Sequence, residues 1–291
     1  MRRFIRFTAA IAAALATIGS AFAAADLQQQ HADALARIKT AAQQRTLAQT
    51  MAKSTCYLMA GVSPQMQAEQ AFMASMMFDD NASALLSGGA EGITLPESDA
   101  STLAALARIS EVWAVFAPAS RQVMSGDFHA VPVQQLISLD PVVTGHLEDV
   151  LLLLDGVYRQ RLVTRQEMVN TVIHAAGQSM LARKAMKELC YITIDLMRAR
   201  MQQDLRTTID QFDRVLAAME TGDFDLGIAD PPNLAAIKQV MEIKTLWAEL
   251  RPVLERGLLP EPPDREILAQ AAELGDSIVA LTDGMLALYL E

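Results

Sequence analysis

Along most of this chain apolar residues recur at three- and four-residue intervals, and alternating β-branched runs are nearly absent, so the pattern predicts helices and no strands. In the first half it predicts a long helix from about Leu27 to Ala60, a break at Gly61-Val62-Ser63-Pro64, and a second helix to about Leu86. Ser63 is expected to cap that second helix, with Pro64 in its first turn. In the second half no proline and only Gly177 interrupts Arg165 to Glu220, which predicts one continuous helix. Gly88-Gly89 and Gly222 end these segments. Shorter helices follow from about Thr102 to Phe116 and Leu234 to Leu250, stopped by Pro118 and Pro252, and last helices start near Pro141 and Pro263. The fold class is therefore all-α: two tandem, antiparallel four-helix-bundle-like domains, with the acidic loops Gly89 to Ser101 and Gly222 to Pro232 as their most exposed connections.

The tandem arrangement rests on an internal repeat. An offset of 134 residues brings Ala41-Ala42, Gln44, Leu47-Ala48, Lys53 and Cys56-Tyr57 onto Ala175-Ala176, Gln178, Leu181-Ala182, Lys187 and Cys190-Tyr191. The same offset pairs Phe78-Asp79 with Phe212-Asp213, Trp113-Ala114 with Trp247-Ala248, and Pro118 with Pro252. Near the ends Asp155-Gly156 matches Asp283-Gly284 at an offset of 128, which implies a few residues lost from the second copy. Two copies indicate a duplication rather than a solenoid. The expected division is 1–23, 24–157 and 158–291.

Residues 1–23 carry Arg2, Arg3 and Arg6, an apolar stretch from Phe7 through Ile18, and small residues at Ala21-Phe22-Ala23. That is the pattern of a cleaved Sec-type signal peptide, and it predicts a periplasmic protein. Arg6 interrupts the apolar residues that a twin-arginine signal would place there. No later run approaches 18 consecutive apolar residues, so no membrane span is expected in the mature chain. Losing the three leader arginines takes the formal charge from −10 to −13, which argues against nucleic acid or an acidic membrane surface as a partner.

On the first long helix, Ile38, Ala41, Arg45, Ala48, Ala52, Cys56 and Met59 share one stripe, while Leu47, Met51 and Leu58 form a second on the far side. Two apolar stripes imply two neighbours, and small residues at seam positions suit close approach of the two copies. The run Ala41-Ala42-Gln43-Gln44-Arg45-Thr46-Leu47-Ala48-Gln49-Thr50-Met51-Ala52-Lys53 resembles a motif of the PilJ domain, the N-terminal domain of type IV pili methyl-accepting chemotaxis transducers. That domain is related to the periplasmic sensor region of nitrate/nitrite sensor kinases. The second copy offers Ala175-Ala176-Gly177-Gln178-Ser179-Met180-Leu181-Ala182-Arg183-Lys184-Ala185-Met186-Lys187, and Trp113 to Pro118 and Trp247 to Pro252 resemble the family's L-W-x-x-x-x-P stretch. The resemblance implies a four-helix bundle that senses something in the periplasm. With no following membrane helix or output domain in this sequence, a separate membrane receptor or other envelope protein is the expected partner.

The same resemblance implies anion contact by the motif arginine, here Arg45, while the second copy has Ser179 in its place. A small anionic ligand is expected beside Arg45 and Gln49, with Ser179 and Arg183 facing them, because duplication lets the two halves of a symmetric site diverge. The alternative is that Arg45 pairs with a nearby carboxylate or reaches water. Cys56 and Cys190 occupy equivalent seam positions in an oxidising compartment, where they form either one inter-repeat disulfide or two buried thiols. Met73, Met76 and Met77 read as core residues before they read as a copper site, and His146 with Glu148 and Asp149 reads as a solvated face. His174 adjoins the motif and is a candidate to assist an anion.

No H-E-x-x-H, E-x-x-H, C-x-x-C-H or G-x-S-x-G motif is present, so neither an enzyme nor a metal or other cofactor is expected. The function expected is a periplasmic ligand-binding or sensory module. An envelope interaction or scaffold protein without a small-molecule ligand is the competing expectation.

Overall fold

The computed structural model describes the backbone of residues 2–90, 92–162 and 166–290, and the side chains of 26–90, 92–162, 169–285 and 288–289. The leader expected at 1–23 lies outside the residues whose side chains are described. Eight α-helices follow in order: α1 Arg2–Met59, α2 Pro64–Ser87, α3 Ala100–Met124, α4 Ala130–Tyr158, α5 Gln166–Thr193, α6 Arg198–Thr221, α7 Leu234–Glu255 and α8 Arg265–Leu290. Among the described residues there is no strand, and the fold is an all-α bundle assembly. The expected division at 157/158 falls at the end of α4, where a 3-10 turn, Arg159–Arg161, leaves the helix.

The helix ends show what the repeat encodes and what single residues do not. The second half is not one helix: α5 stops at Thr193 and α6 starts at Arg198. Asp195 and Met197 take positive φ values of 57° and 50°, as Gly61 and Ser63 do at 71° and 45° in the first half. The backbone bonds also match, with Val62 N–H donating to Tyr57 O and Leu196 N–H donating to Tyr191 O. The turn is thus built without glycine or proline in the second half, and packing of the flanking helices holds two ordinary residues in the left-handed region. Ser63, in that same region, makes no side-chain cap to α2, although Pro64 does occupy the first turn.

Neither Pro118 nor Pro252 ends its helix, since α3 runs on to Met124 and α7 to Glu255. Likewise α4 begins at Ala130 and carries Pro141 inside it. A proline costs a helix one hydrogen bond, and tertiary packing of the surrounding turns outweighs that loss here. Caps recur at the 134-residue offset: the Asp99 side chain accepts from Thr102 N–H at 2.8 Å and the Asn233 side chain accepts from Ala236 N–H at 2.9 Å.

Each half has its own apolar core, and the two cores interlock. One is made by α1 to α4 but includes Val169 of α5, and the other is made by α5 to α8 but includes Cys56, Tyr57 and Val62. The tryptophans sit in matching places. Trp113 stacks on Phe78 and donates to Asp79 Oδ1 at 2.7 Å, while Trp247 stacks on Phe212 and donates to Asp213 Oδ1 at 2.6 Å. Gln44 and Gln178 each donate to the carbonyl of that phenylalanine, both at 3.2 Å.

The first acidic loop is largely exposed, with Ile93 and Glu97 its buried residues among those described. Glu97 is buried, accepts the Tyr158 hydroxyl at 2.9 Å, and pairs with Arg37, whose guanidinium also bonds Asp33 and the carbonyls of Leu85 and Leu95. Among the described helices α3 is long and apolar enough by composition to cross a bilayer, although Arg108 and Glu111 interrupt its apolar run. It packs against α4, burying Trp113 and Phe116.

Candidate functional site

α1 and α5 meet along the middle of the molecule. Cys56 is disulfide-bonded to Cys190 with a Cα–Cα distance of 6.1 Å, and Gln49 meets Lys187 before that point, so contacts advance along both helices in the same direction. The equivalent residues Cys56 and Cys190 thus meet face to face. The bond closes a loop spanning 134 residues, which in the chain-entropy picture contributes roughly 4–5 kcal/mol.

Flanking the disulfide, one lysine from each half crosses to the other. Lys187 of α5 donates to Asp140 of α4 at 2.5 Å and to Gln49 Oε1 of α1 at 2.8 Å, and Gln49 Nε2 reaches Thr144 at 2.8 Å. Lys53 of α1 donates to Asp276 of α8 at 2.8 Å and to Gln70 of α2 at 3.0 Å. The second station differs because Arg183 stands where Gln49 stands in the first half. Burial holds the Lys53 ammonium below its ordinary value and the nearby Arg183 charge adds to that, while Asp276 opposes both. Lys53 and Lys187 are matched by the repeat and close the two motif runs, and neither is among the residues expected at the site. The available signal was a lysine on a helix with little solvated face, which requires an acid from another helix.

The four residues expected to surround one ligand do not converge. Arg45 pairs with Glu148 of α4 at 2.7 Å, and its Nε is buried without a hydrogen-bond partner. Gln49 is engaged with Lys187 and Thr144 as described. Ser179 donates to Asp283 of α8 at 2.5 Å, and Arg183 pairs with the same carboxylate at 3.1 Å. Arg45 and Arg183 therefore face different cavities. Two helices joined about a twofold axis present equivalent positions to opposite sides, and a helical wheel drawn on one helix does not reveal this.

The two sides are unequal. On one, a groove of about 720 Å³ lies between α1, α2, α5 and α8, lined by Lys39, Lys53 and Arg183, by Asp276 and Asp283, and by a mixture of neutral polar and apolar side chains. On the other, Lys184 of α5 reaches Thr208 of α6 at 2.7 Å, and two smaller cavities of about 280 and 320 Å³ lie to either end. Arg45, His174 and Arg214 line the smaller of these. Burial keeps the His174 imidazole below its ordinary value, an effect strengthened by Arg45 and Arg214 and opposed by a hydrogen bond with the Leu226 backbone. Of the three clustered methionines, Met73, Met76 and Met77 are all exposed on α2 rather than buried in the core. Among the described residues no group of three or more His, Cys, Asp or Glu side chains is placed to hold a metal ion.

No curated protein matches the chain. The family model for the type IV pili methyl-accepting chemotaxis transducer N-terminal region, PilJ, matches residues 162–274, which span α5 to α7 and part of α8. The second half of this chain is thus similar to the PilJ family of non-catalytic chemotaxis-transducer signalling domains.

Proposed function

We propose that the chain is an exported sensory module made of two tandem PilJ-type bundles, acting in the periplasm with a separate membrane partner and responding to a small ligand, such as an anion, held at the α1–α5 seam. The family match supports the signalling reading for the second half, and the 134-residue recurrence of caps, stacked tryptophans and inter-helix bonds supports extending it to the first. One observation carries the reading. The three seam cavities described above are each walled by helices of both halves, so an occupant contacts both and biases how they sit against each other.

A thermal-denaturation screen of the oxidised protein against small anions and metabolites tests this. A saturable rise in melting temperature for at least one compound is expected. Silence across the panel, with a stoichiometric ligand-free complex with an envelope protein, would instead favour a scaffold role. The exposed apolar face of α2, with Phe72 and Met73 each 52% exposed, is the feature that favours this second reading.

A further inference from the structure

Among the positions at which the large groove differs from its counterpart, three shape the guest that it can take. Lys39, Met73 and Met77 line it, where the other side has Ile173, Thr207 and Gln211 at the equivalent positions. Those three positions place a cation and two flexible apolar side chains in the large groove, although Thr50 stands there where the other side has Lys184. The walls are Leu47, Met77, Ala176 and Val279, and the methionine thioethers at the mouth adapt to irregular apolar shapes.

The charges in the groove do not balance. Lys53 is neutralised by Asp276 and Arg183 by Asp283, whereas Lys39 has no hydrogen-bond or ion-pair partner among the described residues. Three cations against two carboxylates leave one positive charge, on a side chain that is only partly solvated. The threonine hydroxyls of the lining turn back onto helix carbonyls, with Thr46 bonding Ala42 O and Thr50 bonding Thr46 O. The Lys39 ammonium is thus the unpaired charge of the groove, and the amides of Gln43 and Gln70 are neutral polar groups in its lining.

We propose that this groove binds an amphipathic organic monoanion, a carboxylate or sulfonate whose acidic group meets Lys39 and whose apolar body lies along Leu47, Met77, Ala176 and Val279. The proposal rests on the sensory reading above and names the ligand class. The volume of about 720 Å³ suits a compact organic molecule rather than an inorganic ion. Burial already holds the Lys39 ammonium below its ordinary value, and a carboxylate beside it supplies the counter-charge that the protein omits. A planar inorganic anion would gain the charge and leave the apolar walls unused.

Calorimetric titration of the oxidised full chain with octanoate, octanol and octylammonium, all below their aggregation limits, tests it. Octanoate should bind once per chain, and the alcohol and the amine should bind about tenfold more weakly or not at all. Lys39→Gln should weaken octanoate by about tenfold or more, and Ala176→Phe should abolish binding by filling the floor without changing a charge. Lys238→Gln, on α7, should change nothing. Equal binding of the amine or alcohol, or octanoate affinity that survives either groove variant, overturns the proposal. A compound from the thermal screen that stabilises the protein and is indifferent to Ala176→Phe would refute this ligand class and leave the sensory reading standing. Failure of every compound in both experiments removes the two together.

Discussion

The two halves of this molecule agree where they hold themselves together and differ where they meet. Within each bundle the same aspartate takes the same indole proton, the same glutamine bonds the same phenylalanine carbonyl, and the same turn closes the same helix pair. Across the seam the partners part company. Lys187 closes a ring with Asp140 and Gln49, while Lys53 shares Asp276 with solvent and turns to Gln70 of its own bundle. A duplicated scaffold needs both sets of internal bonds, whereas a seam used once needs only one version of each groove. Divergence therefore concentrates at the seam.

The largest test of that contrast is at the lysines. The Lys187–Asp140 side chains are 4% and 9% exposed, so Lys187→Met strands a buried carboxylate and should cost about 3–5 kcal/mol in urea unfolding. Asp276 is 31% exposed and can hydrate, so Lys53→Met should cost distinctly less, about 1–2 kcal/mol. Adding Asp140→Leu to Lys187→Met should restore much of the loss. Equal losses from the two lysines would show that the stations are energetically alike despite their different partners.

A smaller effect probes the shared half of the comparison. Trp113→Phe and Trp247→Phe each remove an indole donor to a carboxylate, and each should cost about 1–2 kcal/mol, matching within about 0.5 kcal/mol. Unequal losses would mean that the two scaffolds have diverged beneath similar geometry.

The smallest effect concerns His174, whose counterpart in the first half is Thr40. Its folded value lies below the ordinary 6.5, so the unfolded chain takes up the proton first as pH falls. The associated stability is fully present above pH 6.5 and declines as pH falls from there through the lowered value. His174→Asn should flatten that part of the stability profile. A wild-type profile that the mutation leaves unchanged would remove His174 from the comparison.

The all-α class and the stacked tryptophans were legible because they rest on periodicity and on residues repeated at one offset. The α5–α6 break was not, because Asp195 and Met197 carry no turn signature and the conformation is imposed by packing. Nor were the continuations through Pro118 and Pro252, where each proline's local cost is met by contacts distant in sequence. The offset of 128 that aligns Asp155 with Asp283 fails for a different reason. Asp155 pairs with Arg159, whereas Asp283 receives Ser179 and Arg183, the role closest to that of Glu148. The two registers differ by seven residues, two helical turns, so both keep the same face buried and sequence alone does not separate them. Arg45 and Gln49 lie on α1 and Ser179 and Arg183 on α5, and the periodicity of one helix does not tell which side of a helix pair each residue faces.

Because Cys56 and Cys190 are bonded, a tension applied between the two ends of the chain takes the short way across the sulfur bridge. It runs from α1 straight into the end of α5 and on through α6 to α8, and α2, α3, α4 and the part of α5 before Cys190 hang as a slack loop off the line of force. Pulled while oxidised, that loop would bear no load. Reduction would release the hidden 134 residues, adding roughly 450 Å of contour to the extended chain.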